Sequence, residues 1–200
     1  GNSIKTKKNI TISQKDVGSI NKKDAEGYDT VIHLAAISND PSALLNSKIT
    51  WETNVLSTLH LLEICKKVKI KKFIFASSGS VYGLSNKPKV DENTELVPIS
   101  DYNKTKMVGE KLVNNYSKSF KTIILRPGTI CGFSDSLRLD LTVNAMTFTA
   151  LKKKKIFVDG GSQIRPQVHI KDMLSVYDFF IKKNLTGIYN VGFENISIIE

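Results

Sequence analysis

The sequence predicts an α/β protein built on a doubly wound parallel sheet, and three observations carry that prediction. Short apolar runs of strand length alternate with segments of helical period, the pattern of βαβ crossovers. Small and hydroxyl-bearing residues come directly after the apolar runs, and in such sheets ligands bind beyond the carboxyl ends of the strands. Beyond Gly132 the alternation gives way to a lysine run, Gly160-Gly161 and Pro166, which marks a second part of the chain.

Taken in order, Ile10-Thr11-Ile12 is a candidate first strand and Val31-Ile32-His33-Leu34 the next. Phe73-Ile74-Phe75-Ala76, Ile123-Ile124-Leu125 and Ile188-Tyr189-Asn190-Val191 come after them, and these three together with the Val31 run read as buried parallel strands. Between them Val55, Leu59 and Leu62 mark one helical face, and Met107, Leu112, Val113 and Tyr116 a second. Met173, Leu174, Tyr177 and Ile181 mark a third. Right-handed crossovers then connect the strands. Residues 1–132 form the sheet domain on this reading, and 133–200 begin a smaller ligand-facing region with returning sheet elements.

At 200 residues, 40% hydrophobic and 24% charged, the chain has the composition of a soluble globular protein able to bury a core. No apolar run approaches the roughly 18 residues that span a bilayer. Lys5, Lys7 and Lys8 lead into no apolar block, so no signal peptide or membrane partner is expected and the chain reads as cytoplasmic. Cys65 in a helical pattern and Cys131 in a turn-rich segment suggest neither a disulfide framework nor a metal site. The net charge of +10 comes almost wholly from lysine, since Arg126, Arg138 and Arg165 are the only arginines. Nucleic-acid readout favours arginine forks, so the charge fits a solvated lysine surface that attracts anionic substrates better than a nucleic-acid partner.

Two segments hold the chemistry: Ser77-Ser78-Gly79-Ser80-Val81-Tyr82-Gly83 after one apolar run, and Tyr102-Asn103-Lys104-Thr105-Lys106 opening an amphipathic stretch. A tyrosine and a lysine at i and i+4 share a helix face, so the Lys106 ammonium favours the ionised Tyr102 phenol. Bringing a tyrosine from its usual pKa near 10 to about 7 needs about 4 kcal/mol. Two unit charges about 4 Å apart at an effective dielectric near 20 interact by that order. Tyr102 is thus a candidate base for an alcohol proton, with Ser78 placed to hydrogen-bond the substrate oxygen.

These segments resemble those of the extended short-chain dehydrogenase/reductases, specifically the nucleotide-sugar epimerase/dehydratase group. The resemblance continues in order through Asp16, His33-Leu34-Ala35-Ala36, Asn54, Arg126-Pro127-Gly128, Asn144 and Arg165 to Asp172. It implies a Rossmann-type sheet and an NAD cofactor. Asp16 would border the adenine, and Leu34, Ala35 and Ala36 would pass along the ribose and pyrophosphate. Asn54 would support the active site from behind, Ser77 would bind the cofactor, Pro127 would lie where the backbone meets the nicotinamide carboxamide, and Lys106 would also hold the nicotinamide ribose. It implies a nucleotide-diphosphate sugar as substrate, with Ser78 and Ser80 at the sugar and Asn144 and Arg165 at the diphosphate, where an arginine fork suits paired oxygens. His169 would be a partly buried structural histidine. A homodimer through the helices containing Asn54 and Tyr102 is also implied.

Two departures from the family pattern narrow the reading. Related 4,6-dehydratases carry Asp-Glu after the catalytic hydroxyl residue, whereas Gly79 and Ser80 stand here, which turns the expectation from dehydration to epimerisation. A reductase of ketosugars using NAD(P)H and a noncatalytic NAD- or RNA-binding member are the alternatives. No Gly-x-x-Gly-x-x-Gly loop occurs, nor the strand before it or the acidic residue after the next strand, so the chain reads as truncated at both ends and NADP stays open beside NAD. Without that loop's helix N-terminus to hold the pyrophosphate, the 200-residue chain is expected to bind NAD weakly or not at all. Isothermal calorimetry tests this, and a micromolar affinity would overturn it.

Overall fold

The computed structural model describes residues 9–84 and 89–199, so Lys5, Lys7 and Lys8 lie outside the described residues. Two compact units divide the chain. One comprises Lys15–Arg126 and Phe179–Asn190; the other is built on Pro127–Asp178 with flanking segments from both ends of the chain.

The first unit holds a four-stranded sheet in the order β1-β2-β3-β6, with β1 Thr30–His33, β2 Lys72–Ala76, β3 Lys121–Pro127 and β6 Gly187–Val191. β1 pairs with β2 and β2 with β3 in parallel, Val31 opposite Phe73 and Ala76 opposite Leu125. β2 and the middle of β3 are buried on both faces, which is why they read as uninterrupted apolar runs, whereas β1 and β6, expected to be buried as well, are mostly half-buried or exposed because they stand at the two edges of this sheet. The expected strand at Ile10-Thr11-Ile12 does not form. Ile10 and Ile12 are about half exposed, at 47% and 49%, and so short a run has too few ladder bonds to hold an edge without a face to bury. β1 is therefore the edge of the sheet.

Helices α1 (Lys22–Ala25), α2 (Asp40–Leu45), α3 (Ser47–Trp51), α4 (Ser57–Lys67) and α5 (Asp101–Asn115) also belong to this unit. A π-helical turn, Glu52–Leu56, joins α3 to α4. The extra residue in that turn rotates α4 relative to α3, and it breaks the expected face through Leu59. Leu59 is exposed, and α4 packs inward through Thr58, Leu61, Leu62 and Cys65. Its core partners are Phe73, Phe75, Val113, Phe120 and Ile124. Burial pushes the Cys65 thiol up to about 12, so it is an inert core residue.

The second unit carries β4 (Thr129–Cys131), β5 (Ile164–His169) and β7 (Glu194–Ser197), with β4 and β5 parallel and β5 and β7 antiparallel. It also holds α6 (Thr142–Lys153), and α7 (Ile170–Lys182) begins in it and ends in the first. On α7 the buried side chains are Met173 and Phe180; Leu174 and Ile181, expected on the same face, are 61% and 42% exposed. The inward stripe is narrower than the apolar pattern, so hydrophobicity alone overcounts it. Lys72 Nζ donates to the carbonyls of Phe180, Ile181 and Lys183 at 2.6, 2.6 and 2.8 Å, satisfying groups that the end of α7 leaves orphaned.

Candidate active site

The site is assembled at the carboxyl end of β2 and the amino end of α5. After Ala76 the chain continues one step of the ladder, Ser77 N–H donating to Leu125 O at 2.8 Å, and then turns into a short 3-10 segment, Gly79–Tyr82. Ser78 caps that segment, its Oγ accepting from Ser80 N at 3.2 Å. Ser100 caps α5 by accepting from Asn103 N at 3.2 Å, which places Tyr102 in the first helical turn. Gly109 lets α5 lie close on the sheet, because a Cβ there would come within 2.6 Å of the Phe75 ring.

Lys106 is 5% exposed and donates to Ala76 O at 2.7 Å. Its ammonium lies 5.1 Å from the Phe75 ring centroid and 5.9 Å from that of Tyr102. The expected helical pairing of Tyr102 and Lys106 is thus present, and β2 anchors the lysine end. Burial pushes Lys106 down to about 8, with the nearby Glu110 carboxylate pulling it back up. The support that the Lys106 ammonium is expected to give a Tyr102 phenolate would be lost above this pH. Turnover of the full-length enzyme is therefore expected to fall as pH rises through about 8, and a kcat/KM profile that stays flat to about pH 9.5 would contradict it.

Asn54 is 3% exposed within the π-turn, and its amide is fully used. Oδ1 accepts from Ile37 N at 2.8 Å, while Nδ2 donates to Ile37 O and to Thr105 Oγ1, both at 3.0 Å. It clamps the segment after β1 to the residue before Lys106. Leu34 and Ala35 are exposed and Ala36 half-buried in that segment. His33, at the end of β1, is buried against Phe73 and Phe75 and pairs with Thr58 Oγ1 at 2.8 Å. Burial lowers it to about 4, with the Lys106 charge adding to the effect, so it is neutral.

Behind the serines lies a buried network that sequence reasoning missed. Glu110 accepts from Arg126 Nε at 2.9 Å and Nη2 at 2.6 Å, a bidentate pair whose side chains are 5% and 3% exposed. Ser77 Oγ also donates to Glu110. Arg126 Nη1 donates to Tyr82 Oη at 2.7 Å, and Tyr82 donates in turn to Asn190 Oδ1 at 2.7 Å. The spacing of Lys106 and Glu110, four residues on one helix, was the one signal of it in the sequence.

The other expected residues are divided between the two units. Asp16 is exposed and caps the short 3-10 turn Val17–Ser19 through Gly18 N at 2.8 Å. Pro127 is the last residue of β3. In the second unit Asn144 is buried on α6, accepting from Gly132 N and donating to Arg138 O, each at 3.0 Å. Arg165 is exposed on β5, opposite Ile196. His169 is exposed where a partly buried residue was expected, because it ends β5, and its Nδ1 accepts from Lys171 N at 3.3 Å. No grouping of acidic, histidine or cysteine side chains suited to a metal, and no helix long and apolar enough to cross a membrane, occurs among the described residues.

The model of the NAD dependent epimerase/dehydratase family matches residues 4–192. The chain belongs to that family. An uncharacterized UDP-glucose epimerase of Bacillus subtilis is 38% identical over 151 residues, covering 74% of this chain and 47% of that protein. A putative UDP-glucose 4-epimerase of Methanocaldococcus jannaschii is 34% identical, covering 82% and 55%. A dTDP-D-glucose 4,6-dehydratase of Dictyostelium discoideum is 33% identical, covering 84% and 42%. The chain therefore spans about half the length of these relatives. Among solved structures, the UDP-glucuronic acid 4-epimerase of Bacillus cereus with UDP-glucuronic acid and NAD is 31% identical, with a TM-score of 0.79 over 92% of this chain and 61% of that one. The fold of this family member is accordingly the Rossmann-type α/β sheet.

Proposed function

We propose that this family member carries the catalytic residues of an NAD-dependent nucleotide-sugar epimerase. The observation that carries the reading is the buried Lys106, fixed to Ala76 one helical turn from Tyr102, with the Ser78 hydroxyl at the neighbouring strand end. The epimerase names of the relatives at 38% and 34% identity support it. So does the lack of a carboxylate at Gly79 and Ser80, since the nearby Glu110 is already committed to Arg126.

The residues fit the cofactor. Lys106 donates to one carbonyl in the structure, whereas an ammonium has three N–H groups, and the spare donors suit ribose hydroxyls. Ala35 and Ala36 leave the backbone open to close approach. Leu34, Ala35 and Ala36 would hold the dinucleotide with Asp16, Pro127 and Lys106, while Asn54 and Ser77 fix the segments that do so. The chemistry NAD supplies when bound is reversible acceptance of a hydride from the sugar carbon.

In this reading Tyr102 takes the proton of the reacting sugar hydroxyl, and Lys106 stabilises the phenolate before the reaction and the proton's return afterwards. Ser78 hydrogen-bonds the oxygen as it becomes a carbonyl, with Ser80 beside it. Asn144 and Arg165 are assigned to the diphosphate. Residues 1–132 serve the cofactor and 133–200 begin the sugar-nucleotide region. Two copies are assigned to pair through the helices containing Asn54 and Tyr102, where Ile49, Leu56 and Leu59 expose apolar surface.

The test is incubation of the full-length enzyme with UDP-hexoses, with proton NMR and the absorbance of reduced cofactor as readouts. Inversion at one sugar carbon with no net cofactor change is expected. Stoichiometric cofactor consumption would replace the epimerase by a ketosugar reductase.

A further inference from the structure

The reacting serine, Ser78, and two side chains beside it, Ser80 and Asn103, form a hydrogen-bond chain that ends on Asn103 and takes its direction from that last bond. Ser80 Oγ donates to Asn103 Oδ1 at 2.6 Å, and Ser78 Oγ lies 2.8 Å from Ser80 Oγ. A serine hydroxyl carries one proton. Because Ser80 commits its proton to Asn103, the bond between the two serines uses the proton of Ser78. That proton points along the chain and away from any ligand. Ser80 N–H, donating to Ser78 Oγ at 3.2 Å, fixes the two serines in register. Asn103 is 7% exposed, and its backbone is held by the cap of α5, so the end of the chain is a fixed point next to Tyr102.

This arrangement conflicts with what a forming carbonyl needs, which is a donor from Ser78. Asn103 is the one member of the chain whose side chain has an acceptor at one end and a donor at the other. Turning its amide about χ2 puts Nδ2 toward Ser80, so that Asn103 donates to Ser80, Ser80 donates to Ser78, and the Ser78 proton is released outward. No heavy atom other than the amide itself has to move.

We propose that Asn103 is a positioning residue that sets, and by turning its amide reverses, the direction of the Ser78-Ser80-Asn103 chain, so that Ser78 donates to the sugar oxygen as it becomes a carbonyl. The inference rests on the reading of Ser78 and Tyr102 as the reacting pair. It goes beyond that reading in assigning a role to a side chain that touches no reacting atom.

The test uses the full-length enzyme with the sugar nucleotide it epimerises. Asn103→Asp is nearly isosteric, but its carboxylate only accepts, so it locks the chain pointing away from the sugar. Its kcat is expected to fall about tenfold with KM within about twofold, the loss of one hydrogen bond in the reacting state. Asn103→Leu has neither end, which frees Ser80 to donate to Ser78, so N103L is expected to rank above N103D in kcat. A role in packing alone would rank them the other way, because Asp keeps the shape and polarity of Asn, and that ranking would overturn the proposal. In a Ser80→Ala background the N103D effect should vanish. If it persists there, it is a charge effect on Tyr102 and the proposal fails. A Tyr102→Phe control separates the two readings: loss of turnover in Y102F with wild-type kcat in N103D sinks this inference alone, whereas retained turnover in Y102F sinks the proposed function and this inference with it.

Discussion

Tyr102→Phe in the full-length enzyme is expected to lower turnover by about 10²- to 10⁴-fold, the usual contribution of a positioned general base, while sugar-nucleotide affinity stays within about twofold. The substitution removes one oxygen and nothing else. The ring remains in the first turn of α5, and Lys106 keeps its hydrogen bond to Ala76 and its place by the Phe75 ring. A loss confined to kcat therefore reports the proton transfer and not the scaffold. Rapid-mixing kinetics, with calorimetry of the sugar nucleotide, separate the two, and turnover at the wild-type rate would remove Tyr102 from the mechanism.

Arg126→Met is expected to have the second large effect, this time on stability. It strips Glu110 of both guanidinium bonds and leaves its buried carboxylate with only the Ser77 hydroxyl as a hydrogen-bond donor among the described residues, and it removes a donor from Tyr82. Breaking one side of a buried ion pair costs about 3–5 kcal/mol, because the remaining charge stays desolvated. Removing both partners, as Arg126→Met with Glu110→Leu, should recover most of that loss for the same reason. Urea unfolding of the wild type and both variants gives the comparison. A single variant within about 1 kcal/mol of wild type would show that Glu110 finds another partner or takes up a proton.

The two large effects differ in how far the sequence foretold them. Tyr102 and Lys106 were legible because i and i+4 on an amphipathic stretch is a local relation, decided by helix geometry. The strands at Phe73 and Ile123 were legible for a similar reason, since a short run buried on both faces needs no partner to be recognised, and those at Val31 and Ile188 were legible as apolar runs although they are less buried. Ile10-Thr11-Ile12 looked equivalent and was not, because a strand exists only where another strand accepts its hydrogen bonds. On α4 Leu62 is buried as expected and Leu59 is not, since the π-turn that holds Val55 shifts the helix after it against the helix before it.

Glu110 and Asn103 were passed over for a different reason. Glu110 was assigned no role in the sequence, because its partner, Arg126, lies 16 residues away on a strand. Asn103 was assigned no role within its segment, because its acceptor meets Ser80 across 23 residues of sequence. Pairings of that kind depend on where β2, β3 and α5 come to rest against one another, and the Gly109 contact with Phe75 is part of what sets the distance.

By itself the sequence determined the type of sheet, because that rests on periodicity, and its ordered motifs carried the resemblance to the family; it also placed the proposed phenol and ammonium on one helix face, because that rests on short-range spacing. Only the tertiary structure decided that Lys106 is buried, which lowers its pKa, that Ser77 serves Glu110, and that Ser78 joins a hydrogen-bond chain through Ser80 to Asn103. Charge state and hydrogen-bond direction are set by the groups that surround a residue, and those groups come from distant parts of the chain only when it folds.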